Sequence, residues 1–395
     1  MKKLVLAYSG GLDTSYCALK LSKDEGFEVH AVSVNTGGFS DTEIAEIEQK
    51  ALQLGAITYT SINAVQTFYE KVVKYLVFGN VLKNNTYPLS VSAERIIQAI
   101  EIVNRAKKIG AGYIAHGSTG AGNDQVRFDM IFQILAPDIK IITPIRDEQL
   151  SRQTEIDYLQ QNGIDYTWAT AKYSINKGLW GTSVGGEETL TSHKALPEEA
   201  YPSPLEKTHT ETIKLSFEKG ELIALNYVKD TPVNNINKLS QLASKYAIGR
   251  DIHVGDTIIG IKGRVGFEAA APLIIIKAHH TLEKHVLTKW QQHHKEYLSN
   301  WYGTMLHEGQ YLDEVMRNIE AFLEDSQKNV TGDVMVSLYP YRFTVNGIIS
   351  NNDLMSSSYA QYGELNKGWT ADDAKGFIKI LSNQNKIYNQ IHQEK

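Results

Sequence analysis

Ser9-Gly10-Gly11-Leu12-Asp13-Thr14 directly follows the apolar run Leu4-Val5-Leu6-Ala7 and directly precedes a helical pattern from Ser15. A buried strand that ends in two glycines and turns into a helix offers unpaired N–H groups and a positive dipole end to an anion. Ser9, Thr14 and Ser15 add hydroxyl donors, and Asp13 adds a carboxylate able to hold Mg²⁺. The chemistry indicated is phosphate binding. The loop has neither the Gly-Lys-Ser/Thr ending of a Walker loop nor a G-x-G-x-x-G.

A second glycine-rich turn, His116 to Arg127, follows the strand-like Tyr113-Ile114-Ala115 and precedes the apolar helical pattern Phe128 to Leu135. Its glycines bring backbone close to a ligand, while Thr119, Asn123, Asp124, Gln125 and Arg127 supply polar groups of both signs. A dipolar amino acid needs both: Asp124 can meet an α-ammonium, and Thr119 and Asn123 can donate to a carboxylate.

The elements that must position these loops alternate short apolar runs with helical patterns. Strands are expected at Leu4 to Ala7, Val29 to Val34, Ile57 to Ile62, Tyr113 to Ala115 and Ile139 to Thr143, with helices at Ser15 to Glu25 and Asp41 to Leu54. Such alternation implies an α/β fold with a doubly wound parallel sheet and ligands at the carboxyl ends of the strands. Residues 173–210 are rich in Gly, Ser, Thr and Pro and read as a functional loop region. Beyond Glu211, strands at Thr212 to Phe217, Leu222 to Tyr227 and Thr257 to Ile261 mix with helices at Ile236 to Tyr246 and Leu282 to Trp301, the pattern of an α+β domain. The chain closes on a helix from Thr370 to Ile391. The expected division is a nucleotide-binding domain at 1–165, a second α+β domain at 166–365 and a helical arm at 366–395.

Composition bounds the function. The 395 residues are long enough for two cores, and 42% hydrophobic with 22% charged residues is ordinary for a globular protein. A net charge of −5 without a dense Lys/Arg block disfavours a nucleic-acid partner. The single cysteine, Cys17, excludes an internal disulfide and a cysteine-based zinc site and reads as a packed thiol. The pairs His279-His280 and His293-His294 lack partners at ligand spacing and read as surface or packing residues. The apolar run after Met1-Lys2-Lys3 breaks at Ser9, too early for a secretory signal, and no window approaches a membrane span, so a cytoplasmic protein without a membrane partner is expected.

The S-G-G-x-D-S/T pattern resembles the loop of PP-loop ATP pyrophosphatases, which cleave ATP between the α and β phosphates. The likeness extends further. Ala7 to Ser15, His116 to Arg127, Tyr173 to Ser183, Tyr87 to Arg95, Leu135-Ala136-Pro137 and Gly376-Phe377-Ile378 resemble, in the same order, the argininosuccinate synthase family. That resemblance implies an adenine nucleotide alpha hydrolase-like first domain, a synthetase second domain and ligation of citrulline to aspartate through a citrullyl-adenylate, releasing AMP and pyrophosphate. It implies ATP with Mg²⁺ as substrate complex, no tightly bound cofactor, and a homotetramer with its C-terminal helix reaching across subunits.

Carried onto this chain, the resemblance assigns Ala7, Tyr8, Ser9, Gly10, Gly11, Leu12, Asp13, Thr14, Ser15, Val34 and Gly117 to ATP, with Asp13 near the metal. Thr119, Asn123 and Asp124 fall to aspartate. Tyr87, Ser92, Asn123, Arg127, Ser174 and Ser183 fall to citrulline, and Asp13, Arg127 and Ser174 are the expected catalytic residues. Three positions depart from the family pattern. A citrulline-binding Glu is replaced by Gly255, a citrulline-binding Tyr by Phe267, and a Gly-Gln pair reads Gly37-Gly38. Losing a charge-assisted hydrogen bond to an ammonium costs roughly 1.5–3 kcal/mol. Either Asp256 restores the carboxylate, or the acceptor is an N-acylated citrulline, acetyl or succinyl, with no charge to pair.

Other classes explain less. A tRNA-thiolating PP-loop enzyme would show catalytic cysteines and a basic face. A non-catalytic adenine-nucleotide-binding protein would account for the first loop and not for the second.

Overall fold

Leu4, Val5 and Leu6 are wholly buried and point to alternate faces of one strand, so a sheet must be covered on both sides to hide them. The computed structural model describes residues 2–164, 173–359, 362 and 368–393. Its first sheet consists of β1 (Lys2–Ala7), β2 (Phe27–Asn35), β3 (Thr58–Asn63), β4 (Tyr113–Ala115) and β5 (Lys140–Ile142) in the order β3-β2-β1-β4-β5, all parallel. Leu4 and Leu6 face one core with α1 (Leu12–Lys23), α2 (Asp41–Gln53) and α5 (Arg152–Gln161); Val5 faces another with α3 (Glu94–Ile109) and α4 (Asp124–Leu135). The doubly wound parallel sheet is therefore as expected. The order reverses between β1 and β4, where an open parallel sheet leaves a crevice at its carboxyl ends. The two glycine-rich loops follow those two strands.

The rest of the chain builds two antiparallel sheets. One joins β6 (Ser174–Gly178), β7 (Gly181–Gly185), β11 (Arg250–Asp256) and β12 (Lys262–Glu268) in the order β11-β12-β7-β6. The other joins β8 (Glu211–Glu218), β9 (Glu221–Leu225), β10 (Val228–Lys229), β13 (Gly332–Tyr339) and β14 (Arg342–Ile349) in the order β10-β9-β8-β13-β14. Around them lie α6 (Pro232–Ala243), α7 (Ala270–Val286), α8 (Lys289–His307) and α9 (Glu314–Ser326); α10 (Ala371–Leu381) and α11 (Asn383–Gln393) follow. The core containing Val5 and Ile96 of the first sheet's layers continues through Trp180, Phe267 and Tyr302 into the second.

Several expectations change. The segment 173–210 is not wholly loop: β6 and β7 form a hairpin whose tip buries Leu179 and Trp180, with Trp180 Nε1 donating to Pro88 O at 3.0 Å and Leu179 N to Thr36 O at 3.0 Å. Thr257 to Ile261, read as a strand, is the turn between β11 and β12. Thr257 N donates to Ile261 O at 2.7 Å, and Gly260 adopts φ 81°, so the apolar residues Ile259 and Ile261 stand exposed. Leu282 to Trp301 is two helices, broken where Thr288 caps α8 through a box with Gln291. The closing helix is likewise divided into α10 and α11, with Thr370 capping the first through Asp373. No helix among the described residues is long and apolar enough to cross a membrane.

Candidate functional site

A cleft of about 1170 Å³ opens where the two glycine-rich loops, the β6–β7 hairpin and the β11–β12 hairpin converge. On its floor, Ser9 Oγ lies 3.3 Å from Thr14 Oγ1 and accepts from Gly11 N at 3.4 Å, while Thr14 Oγ1 donates to Gly11 O at 3.2 Å. Gly11 precedes α1 without a side-chain cap, so the first N–H groups of the helix stay available to an anion. Ala7, Tyr8, Ser9, Gly11, Leu12, Asp13, Thr14 and Val34 line the cleft. Gly10 and Ser15 do not. Ser15 is fully buried behind the loop, with its hydroxyl 3.4 Å from Tyr8 OH, and so buttresses the turn.

The second loop rests on the first. A Cβ on Gly117 would stand 3.1 to 3.2 Å from the Asp13 carbonyl carbon, Asp13 Cβ and Thr14 N, which leaves little room for any larger residue. His116, beneath it, accepts from Ser118 N through Nδ1 at 3.2 Å, and its Nε2 meets Asp129 Oδ1 at 2.8 Å. Arg146 holds the other Asp129 oxygen at 2.7 Å. Farther along, Asn123 Oδ1 accepts from Ile258 N at 2.8 Å and so ties the loop to the β11–β12 turn. Thr119, Asn123 and Asp124 all line the cleft.

Charge concentrates at the N-termini of α3 and α4. Asp124 Oδ1 accepts from Arg127 NH1 at 2.7 Å and Oδ2 from Arg95 Nε at 3.0 Å. Burial works against the Asp124 charge, yet Arg95 and Arg127 outweigh it and hold the carboxyl at about 2. Arg127, 4% exposed, also donates from Nε to His307 O at 2.8 Å and approaches His307 Nδ1 at 3.2 Å, which joins α4 to α8. These contacts fix its guanidinium between α4 and α8, and Arg127 also lines the cleft. Glu94 accepts from Thr36 Oγ1 at 2.8 Å and from Arg95 NH1 at 3.0 Å. Glu94 and Arg95 are site residues that the loop motifs did not reveal, although Arg95 closes the Tyr87 to Arg95 stretch.

Burial pushes the Glu94 carboxyl up from 4.5 to about 7, against the opposing pull of Arg95 and Thr36. The folded state thus favours the protonated form, and Glu94's contribution to stability is complete below 4.5 and lost as pH climbs towards 7. Glu94→Gln should abolish that slope. Melting curves between those pH values should show the wild type losing Tm relative to the variant, whereas parallel curves would remove Glu94 as the cause.

At the far end stand the residues expected to hold the acceptor. Ser92 is buried with its hydroxyl unpartnered among the described residues, while Ser174 and Ser183 sit on the facing strands β6 and β7 and line the cleft. Tyr87 is buried and its hydroxyl accepts from Val91 N at 3.4 Å. Phe267, by contrast, is fully buried against Tyr87, with ring centres 5.4 Å apart, and does not line the cleft. Asp256 is exposed and paired with Lys262 at 2.6 Å, and β11 and β12 keep an unbroken register through Gly255 and Gly263. Gly255 and Asp256 thus lie on opposite faces of β11, Gly255 buried and Asp256 exposed, and both line the cleft. One group here was missed entirely: His253, two residues before Gly255 on the same strand face.

Asp13 and the hydroxyls of Ser9 and Thr14 suit a Mg²⁺ that arrives with a nucleotide. Among the described residues no group of three His, Cys, Asp or Glu side chains is placed to hold an ion. His279 is instead buried, bonded to Asn80 Oδ1 at 2.6 Å and Gln327 Oε1 at 2.9 Å, as the packing reading expects.

Residues 3–165 match the model of the arginosuccinate synthase N-terminal HUP domain, and residues 173–388 that of the arginosuccinate synthase C-terminal domain. An argininosuccinate synthase of Methanocaldococcus jannaschii is 36% identical over 395 residues, 99% of each chain. One from Pyrococcus furiosus is 36% identical over 397 residues, covering 99% of this chain and 95% of the relative. One from Xanthomonas campestris is 35% identical over 399 residues, 99% of each.

Proposed function

The chain belongs to the argininosuccinate synthase family, and from that premise we propose that this ligase joins aspartate to a citrulline-type ureido acceptor through an adenylate, releasing AMP and pyrophosphate. The single observation that carries the reading is the meeting of the two loops at the switch point of the sheet, with Gly117 against Asp13 and Thr14. A phosphate loop and a loop with polar groups of both signs thereby share one cleft.

A ureido carbon is a poor electrophile until its oxygen becomes a leaving group. The ureido oxygen attacks the α-phosphorus of ATP and the α–β bridge breaks, so that pyrophosphate departs into the N-terminus of α1 among Ser9, Gly11 and Thr14. The aspartate amine then attacks the activated carbon, loses a proton, and expels AMP. Thr119, Asn123 and Asp124 hold aspartate. Tyr87, Ser92, Ser174 and Ser183 hold the acceptor, and Arg127 fixes the frame between them. Catalysis here is chiefly positioning and charge neutralisation. Asp13 would hold the Mg²⁺ that accompanies the nucleotide, and the ion would neutralise charge on the departing pyrophosphate.

Further assignments accompany this reading. Residues 1–165 bind nucleotide, 166–365 form the synthetase unit, and 366–395 form an arm that docks on a neighbouring subunit of a cytoplasmic homotetramer. Exposed Phe377, Ile378, Ile380 and Leu381 on α10 support the arm's docking, and light scattering of the intact chain would measure the assembly.

Acceptor carrying ¹⁸O in its ureido group tests the reaction. The label is expected in AMP, and sustained release of AMP and pyrophosphate only when aspartate and acceptor are both present, the acceptor alone carrying the reaction no further than the adenylate. Label retained in the ligated product, or nucleotide turnover without either substrate, would refute it. A second reading, an N-acylated acceptor, is favoured by Gly255, which presents no carboxylate to an α-ammonium at that position.

A further inference from the structure

Side chains two apart on a strand share a face, and on β11 both His253 and Gly255 are buried. The His253 ring stacks on Tyr87, with centres 5.2 Å apart and planes 23° from parallel, and Tyr87 in turn leans on Phe267. A Cβ at residue 255 would stand 2.6 Å from His253 Nε2 and 3.4 Å from Asn84 Nδ2. The absence of a side chain at 255 is therefore what admits the imidazole, and the volume a side chain there would take is partly filled by this ring. Nδ1 is buried without a hydrogen-bond partner among the described residues.

Three carboxylates of the cleft lining are already engaged. Asp256 is paired with Lys262, Asp124 with Arg95 and Arg127, and Glu94 with Thr36 and Arg95. Arg264, nearby in the lining, donates to the carbonyls of Glu188, Thr191 and Lys194. Burial, with a smaller push from Lys83, disfavours the charged form of the His253 imidazole. Burial and Arg127 do the same for His307, which is held at about 2. An ammonium brought here would lose its water without gaining a carboxylate, a costly exchange. With Nδ1 buried, the imidazole offers an amide one hydrogen bond, through Nε2 above Gly255.

We propose that His253 is the specificity-determining residue of the acceptor site, and that its imidazole, lying over Gly255, selects a ureido amino acid whose α-nitrogen is an uncharged amide. This rests on the acylated-acceptor reading above. His253 acts on substrate recognition and takes no part in the bond-making steps.

The test uses the intact chain with ATP and aspartate, and pyrophosphate release as the readout. Nα-acetylcitrulline, Nα-succinylcitrulline and free citrulline are compared in the wild type, His253→Phe, His253→Asn and His253→Gln. The wild type should favour at least one acylated acceptor over citrulline by about tenfold or more in kcat/KM, the scale of one hydrogen bond plus an unpaired charge. His253→Phe keeps the stack on Tyr87 and should raise KM for that acceptor roughly tenfold, with kcat within about twofold and the KM values for ATP and aspartate unmoved. His253→Gln, whose amide reaches the Nε2 position, should recover most of the loss, and the shorter His253→Asn should not. Should the Phe variant fail to fold, the Gln and Asn pair still decides the matter.

If the wild type uses an acylated acceptor but Phe and Asn leave its KM unchanged, His253 is not the determinant, although the acylated reading survives. Equal losses of kcat towards every acceptor would mark a structural role and overturn the assignment. Turnover of free citrulline alone would overturn both.

Discussion

Asp124→Asn should lower kcat/KM for aspartate on the order of 100-fold, the scale of a misplacement of reacting groups by about 1 Å. Asp124 is the only carboxylate bonded to both Arg95 and Arg127 among the described residues, at 3.0 and 2.7 Å. Neutralising it leaves two guanidinium groups facing each other with side chains only 14% and 4% exposed. Removing one partner from a buried pair costs about 3–5 kcal/mol, and because the Asp124 side chain is itself 37% exposed to the cleft a loss of about 2 kcal/mol in stability is expected. Arg127 also carries the link to His307, so its displacement would move α4 relative to α8. Steady-state kinetics and denaturant midpoints measure the two effects separately. A variant within tenfold of wild type and equally stable would show that the pair positions nothing. With the carboxyl at about 2, no acid limb above pH 4 in the activity profile should arise from Asp124.

Gly38→Gln should be more damaging still to the fold, although it restores the residue type that the family pattern leads one to expect. A Cβ at 38 would overlap the carbonyl oxygen of Lys177 on β6, which is backbone and cannot turn aside. Beside it, Leu179 N donates to Thr36 O, and Leu179 and Trp180 are buried at the hairpin tip. The hairpin must therefore withdraw to admit any side chain. Overpacking costs about 1–3 kcal/mol, and lost docking of a buried Trp adds about 3 kcal/mol, so the total is expected near 4 kcal/mol or more. Because β6 and β7 carry Ser174 and Ser183, activity towards the acceptor should fall with it. Calorimetric unfolding and kcat/KM for the acceptor check this, and a variant as stable as wild type would refute the close approach. The departure at Gly37-Gly38 thus has a steric cause and concerns how the hairpin docks.

Where the chain is periodic or carries glycine at a strand end, local reading sufficed. The five parallel strands, the α1 start at the phosphate loop and the Thr370 cap depend on neighbours within a few residues, and those neighbours are visible in order. Thr257 to Ile261 misled because apolar residues in a turn look like a strand until Gly260 is seen to adopt a left-handed conformation. The break at Thr288 was hidden for a similar reason, since apolar spacing continues through it and only the reciprocal bonds with Gln291 reveal a new helix.

The site divides along the same line. Its phosphate loop, its second polar loop and the absence of a carboxylate at residue 255 are properties of residue type and spacing, and the sequence alone determined them. Whether those residues meet was a matter of strand order: β1 and β4 are neighbours because the chain reverses direction across the sheet, and no local signal encodes that. Only the tertiary structure could show that Asp124 is already shared by two arginines, that Phe267 packs behind Tyr87, and that His253 stands in the space above Gly255. Each of these depends on groups distant in sequence that burial forces together, where an unpaired charge or an empty volume would cost more than the chain's small net stability allows.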